Sequence, residues 1–262
     1  MNIVFFDIDG TLVSEEDYSI PDSTKKAIKM LQSKGNLAFI NTGRPLSEIT
    51  DKIRQLNFDG FICGCGTYLE YKNKQLFHKS LGVKLSNEVA KDISAYNLEA
   101  ILEGKTGVYF DKKQNINDKT IKRLITQHKI EGFYKGTTWY LDDLDIDKFV
   151  IFLNENSDYN SFYEKYKNTF EFIKRNETFY EVIPLGYSKA SGIKAITEYL
   201  NIPMENTYAI GDSTNDLSML QYVNTAIAMG NSDPYLFDYV DYKTTTLENN
   251  GIYNALKHFN LI

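Results

Sequence analysis

The sequence is short of cysteine, of positive charge and of long apolar runs. Its 262 residues include only two cysteines, Cys63 and Cys65. Their C-x-C spacing is neither a zinc knuckle nor a disulfide framework, so reduced thiols in a cytoplasmic protein are expected. A formal net charge of -6 offers no broad positive field to a nucleic-acid backbone, which leaves room only for a local basic pocket around a small anion. No apolar stretch reaches membrane length. The first, Ile3 to Phe6, is cut by Asp7, so neither a signal peptide nor a membrane span is expected to begin there. Internal repeats and low-complexity tracts are missing as well.

What is present is an ordinary globular composition, 42% apolar and 24% charged, long enough for two compact units or one large one. The run "NIVFF" is apolar and partly β-branched, as suits a strand buried on both faces of a parallel sheet. Next, "IPDSTKKAIKMLQSKG" places Pro21 at a helix start, Ala27, Ile28 and Leu31 on one stripe, and Gly35 at the stop. The strand-like runs "LAFIN" and "GFIC" flank a second stripe of Ile49, Ile53 and Leu56. This alternation predicts a doubly wound α/β sheet, mostly parallel, whose ligand crevice lies beyond the carboxyl ends of its strands.

A hairpin turning at "KNK" follows, and the rhythm then loosens into an α+β insert over residues 83–185. Gly82 and Gly186 stand near its edges, where dihedral freedom suits hinges. The α/β rhythm returns with Ile193, Ile196 and Leu200 on a helix, "TYAIG" and "TAIAMG" as strands, and Leu217 and Leu220 on a helix between them. One core is therefore expected from residues 1–82 and 186–262, the two ends of the chain.

Three motifs fall directly after predicted strands: "DIDGT" from Asp7, "NTGRP" from Asn41 and "GDSTND" from Gly211. Asp7 and Asp9 stand at the exit of a buried strand, where unpaired carboxylates are costly unless a cation or a reaction uses them. Hard oxygen donors from Asp7 and Asp212 suit Mg²⁺. Metal-assisted phosphoryl transfer is the chemistry suggested, with Asp7 as nucleophile and Asp9 as acid and base. Gly10 allows a sharp turn. Thr11, Thr42 and Gly43 offer hydroxyl and N–H groups to phosphate oxygens, and Lys189, in "YSKASG", adds positive charge against the transition state.

With "DIDGTL", "NTGRP", "GYSKASGI" and "GDSTNDLSML" in that order, and "AIAMGNS" and "TTTLENNGI" after them, the chain resembles the haloacid dehalogenase superfamily and, within it, the Cof-type sugar-phosphate phosphatases. The resemblance implies an aspartyl phosphate on Asp7, acid/base work by Asp9, and Mg²⁺ held by Asp7, the Asp9 backbone carbonyl and Asp212, with Asp216 orienting its shell. It assigns the phosphoryl group to Thr42 and Lys189, with Asn215 as a further contact, and makes the insert a cap over the substrate. The implied activity is hydrolysis of a small phosphorylated metabolite; a phosphomutase or phosphotransferase, and a non-catalytic phosphometabolite-binding module, are the alternatives. Three positions depart from the pattern: Cys65 stands where Asn is common, and Ala190 and Ser213 where glycine is common. Trp139 and Tyr140, in the insert, read as core or as a stacking surface for a sugar ring, the core reading being favoured.

Overall fold

The computed structural model describes residues 1–110, 119–131, 139 and 141–262. Tyr140 lies outside the described residues. In chain order the first elements are β1 (Ile3–Phe6), α1 (Asp22–Ser33), β2 (Leu37–Asn41), α2 (Asp51–Arg54), β3 (Gly60–Cys63), β4 (Tyr68–Tyr71) and β5 (Lys74–His78). They are followed by α3 (Val83–Ala95), β6 (Glu99–Gly104), β7 (Gly107–Phe110), α4 (Lys119–Glu131), β8 (Lys148–Phe152), α5 (Tyr159–Tyr166), β9 (Phe170–Lys174) and β10 (Phe179–Pro184). The last are α6 (Lys189–Leu200), β11 (Thr207–Gly211), α7 (Leu217–Leu220), β12 (Thr225–Ala228), β13 (Tyr242–Lys243) and α8 (Gly251–His258). Two compact units result: Met1–Gly43, Asp51–Phe77 and Ser188–Ile262 form one, and Arg44–Thr50 with His78–Tyr187 form the other.

The first unit is built on a sheet with strand order β13-β12-β11-β1-β2-β3-β4-β5. From β13 to β3 the neighbours run parallel, and β4 turns back antiparallel on β3. The chain winds outward from β1 through β2 and β3, then returns to the other side of β1 as β11. The gap between β1 and β11 is therefore the topological switch point, where crossover loops diverge and leave a crevice. Side chains alternate along each strand. Ile3 and Phe5 of β1, with Leu37 and Phe39 of β2, pack with Ile193 and Ile196 of α6. The same alternation puts the next residues, Asp7 and Asn41, on the α6 face.

Helix α1 follows the stripe read from sequence: Thr24, Ala27, Ile28 and Leu31 are its buried residues, and Pro21 precedes it. The stripe of Ile49, Ile53 and Leu56 does not become one crossover helix. Only Asp51–Arg54 is α-helical, after a separate 3-10 turn at Leu46–Glu48. The "KNK" turn is a two-residue hairpin, with Lys72 and Asn73 both in the left-handed region at φ 47° and 62°.

The second unit carries an antiparallel sheet of order β7-β6-β8-β10-β9. One face is apolar, with Ala100, Leu102, Phe149, Ile151 and Val182 packed against Val89 and Ile93 of α3 and Phe162 of α5. Trp139 belongs to this core and donates its indole N–H to the Tyr109 carbonyl at 3.0 Å. The other face mixes Ile101, Val150 and Phe152 with a buried charge chain. Lys148 lies opposite Glu103 in register and reaches Glu103 at 2.5 Å and Glu181 at 2.9 Å, while Arg175 also pairs with Glu181. This unit is wider at both ends than the 83–185 insert drawn from the sequence. It also takes in Arg44–Thr50, because Ser47 donates to the Gly104 carbonyl at 2.8 Å and Glu48 pairs with His128.

Candidate active site

Strand β1 is held to β11 one residue past its end, where the Asp7 N–H donates to the Ile210 carbonyl at 3.1 Å. The chain then coils tightly: the Ile8 carbonyl accepts from the N–H groups of Thr11, Leu12 and Val13. Gly10 sits at φ +74°, and a Cβ there would lie 2.3 Å from Asp212 Oδ2. Any side chain at position 10 would therefore both strain the turn and displace the carboxylate. The Thr11 hydroxyl donates to Asp212 Oδ1 at 2.6 Å, which ties the first motif to the fourth.

At the end of β11, Asp216 is wholly buried. Its Oδ2 accepts from the backbone N–H groups of Asp212 at 3.0 Å and Ser213 at 3.1 Å. Its Oδ1 accepts from Lys189 Nζ at 2.5 Å, and the same ammonium donates to Asp7 Oδ1 at 2.7 Å. Lys189 opens α6, whose first turn is closed by a reciprocal capping box between Ser188 and Ser191. Oxygen atoms of Asp7, Asp212 and Asp216 lie within 4.8 Å of one another. The Asp9 side chain is not in that cluster, so its expected place among the metal ligands rests on its backbone carbonyl alone.

Three carboxylates and one ammonium in a buried space leave negative charge in excess. Burial, then Asp216, pushes the Asp7 carboxyl up to about 7 against the pull of Lys189, and the Asp9 charge adds to the rise. Burial, followed by the charges of Asp7 and Asp216, pushes Asp212 up to about 8. For Lys189, burial opposes the charge, yet Asp216 and Asp7 outweigh it and raise its pKa. Carboxylates crowded together and pushed toward protonation favour a neutralising cation. The all-oxygen donor set fits a hard divalent ion.

Thr42, Gly43 and Asn215 lie on the loops leaving β2 and β11, at the same edge of the sheet as Asp7. The Thr42 N–H donates to the Ile62 carbonyl at 2.9 Å. Thr11 donates its N–H to the Ile8 carbonyl at 3.3 Å and its hydroxyl to Asp212 Oδ1, so it supports Asp212. Asn215 is half-buried and accepts from the Ser213 hydroxyl at 2.7 Å. Ser213 has φ -132°, extended backbone that needs no glycine. Cys65 is at φ 53°, in the left-handed region that asparagine tolerates better, and its N–H donates to the Thr42 carbonyl at 3.1 Å. Two asparagines inside the quoted motifs make contacts that the sequence reading does not assign. Asn231 Nδ2 donates to the Gly10 carbonyl at 2.7 Å while its Oδ1 accepts from the Leu247 N–H. Asn41 Nδ2 donates to the Lys189 carbonyl at 3.0 Å.

Residues 4–256 match the family of haloacid dehalogenase-like hydrolases. The chain belongs to this family. Among its relatives, YkrA of Bacillus subtilis (strain 168), which carries a provisional phosphatase name, is 31% identical over 99% of this chain and 98% of its own length. YcsE of the same organism, a 5-amino-6-(5-phospho-D-ribitylamino)uracil phosphatase, is 26% identical over 99% of this chain and 96% of its own. A solved structure of a protein from Geobacillus kaustophilus HTA426 superposes with a TM-score of 0.84 at 27% identity, covering 100% of this chain and 99% of that one. A haloacid dehalogenase subclass IIB sugar phosphatase superposes at 0.79 with 26% identity over the whole of both chains, 100% of each. Among the described residues of this haloacid dehalogenase-like hydrolase, no helix is long and apolar enough to cross a membrane.

Proposed function

We propose that the chain is a Mg²⁺-dependent phosphoric monoester hydrolase acting on a small phosphorylated metabolite of the sugar-phosphate class. The observation that carries this reading is the convergence of Asp7, Asp212 and Asp216 around Lys189 at the switch point of the sheet. The phosphatase names of relatives aligned over nearly the whole chain support the same class of substrate.

Asp7 attacks phosphorus through a carboxylate oxygen, forming a P–O bond as the ester oxygen leaves, and Asp9 delivers the proton that the leaving oxygen takes. Asp9, now a carboxylate, accepts a proton from the water that attacks the phosphorus of the aspartyl phosphate. Inorganic phosphate departs, and Asp7 is restored. Lys189, with the Thr42 hydroxyl, Gly43 and Asn215, holds the oxygens of the transferring group, and the ammonium opposes the charge they develop. Asp7, Asp212 and the Asp9 carbonyl would hold the metal, with Asp216 orienting its shell; when bound it neutralises the carboxylates and the phosphate oxygens. The second compact unit serves as the cap that selects the substrate.

The test is phosphate release from an aryl phosphate and a panel of sugar phosphates, with Mg²⁺ and with chelator. Release that needs the metal and is lost in Asp7→Asn supports the reading. Equal release with chelator present contradicts it.

A further inference from the structure

We propose that Asn41 is a positioning residue for Lys189, retained at the end of β2 at the expense of stability; the inference rests on the phosphatase reading. Asn41 is fully buried. Its Nδ2 donates to the Lys189 carbonyl at 3.0 Å, across 148 residues of sequence. Its Oδ1 is also buried and has no hydrogen-bond partner among the described residues. A buried acceptor left unmatched weakens a fold, whereas an apolar side chain of the same volume in that place does not.

The surroundings sharpen the contrast. Leu37 and Phe39, which precede Asn41 on the same face of β2, belong to the apolar layer beneath α6. Phe6 pairs with Ile40 in the β1–β2 register, so Asn41 stands beside Asp7 one step further on. The packing of that layer calls for leucine or valine, and a polar residue is there instead.

What it reaches explains why. A lysine stem has four rotatable bonds, and its head bridges two carboxylates reliably only if its root is fixed. Lys189 Nζ must meet Asp7 Oδ1 and Asp216 Oδ1 together. The hydrogen bond from Asn41 pins the peptide at that root. The rest of the helix start is secured separately, by the Ser188–Ser191 capping box and by Gly192, where a Cβ would lie 2.3 Å from Ile62 Cγ2. Loss of the Asn41 bond therefore leaves α6 in place and loosens only where its first side chain begins.

The experiment compares wild type with Asn41→Leu and with Asn41→Ala, measuring Tm, kcat and KM for an aryl phosphate with Mg²⁺, and inhibition by orthovanadate, a five-coordinate mimic of the transition state. Asn41→Leu is expected to melt at or above the wild-type temperature while kcat falls about tenfold or more, as displaced supports of a catalytic group do. KM should move less than about threefold, and the vanadate inhibition constant should rise in step with the fall in kcat. Asn41→Ala should lose kcat similarly, with a small drop in Tm. Activity kept within about threefold in both variants overturns the proposal, as does a loss of kcat that accompanies a matching loss of folded protein. Absence of turnover in the wild type would instead overturn the phosphatase reading on which the proposal rests.

Discussion

Lys189 is the only cation bonded to the acidic cluster among the described residues, and that fixes what its removal does. Replacing one partner of a buried ion pair leaves an uncompensated charge, which typically costs about 3–5 kcal/mol. Lys189→Met should therefore lower the Tm of the chelated protein markedly, with part of the loss restored by Mg²⁺, and should abolish phosphate release; thermal melts with and without the metal check this. An unchanged melt would mean that the ammonium does not compensate the cluster. Cys65 is a smaller case of the same logic. It occupies a left-handed conformation at φ 53° that costs a side chain of this kind about 1 kcal/mol. Cys65→Asn should raise Tm by roughly 2–4 °C in a chain of this size, and a fall would show that its packing outweighs its backbone.

Among the elements, the charge chain on the second unit's sheet is the most exposed to mutation. Lys148 is buried between Glu103 and Glu181. Burial pushes Glu103 up to about 7 even with Lys148 opposing it, while Lys148 and Arg175 overcome burial to hold Glu181 below its usual range. Lys148→Met should destabilise that unit by about 3 kcal/mol, seen as a lower urea midpoint. The double change Lys148→Met with Glu103→Gln should recover part of it, and no recovery would mean that the two do not act as a pair.

How much of this was legible in advance also depends on the element. Strands β1, β2, β3, β11 and β12 announce themselves as apolar runs, and Asp7, Thr42 and Asp212, each proposed for the site, stand one position past the ends of β1, β2 and β11, so "DIDGT", "NTGRP" and "GDSTND" point to one edge of the sheet. Helix α1 was legible because its stripe has the helical period. The crossover after β2 was not, because Ser47 and Glu48 spend that segment on partners in β6 and α4, and contacts so distant leave no local period. The contacts of Asn41 and Asn231 are silent for the same reason: their partners lie 148 and 221 residues away. The bond from the Thr11 hydroxyl to Asp212, 201 residues away, is equally silent in the sequence.

At the scale of the whole molecule, both chain ends meet at β1 and β11, so assembling the core and assembling the site are one event. The acidic cluster then links stability to pH. Folded Asp7 and Asp212 are raised to about 7 and about 8 from 3.8, so without metal the folded protein keeps protons that the unfolded chain has lost. Their contribution is complete below about pH 4 and is lost as pH rises through about 7 to 8. The Tm of the chelated protein should accordingly fall between about pH 5 and about pH 8.5. Mg²⁺ should raise Tm more at the upper end, where the carboxylates need not release protons to bind it. A metal increment that is the same at both ends would contradict this picture of the cluster.

The central claim is that Asp7 becomes covalently phosphorylated, and acid quenching of a reacting mixture tests it most directly. Borohydride reduction of the quenched protein converts an aspartyl phosphate to homoserine, which peptide mass spectrometry can locate. The account predicts homoserine at position 7, only when both substrate and Mg²⁺ are present, with no turnover by Asp7→Asn. Phosphate release with position 7 unmodified, together with turnover by Asp7→Asn, would contradict it.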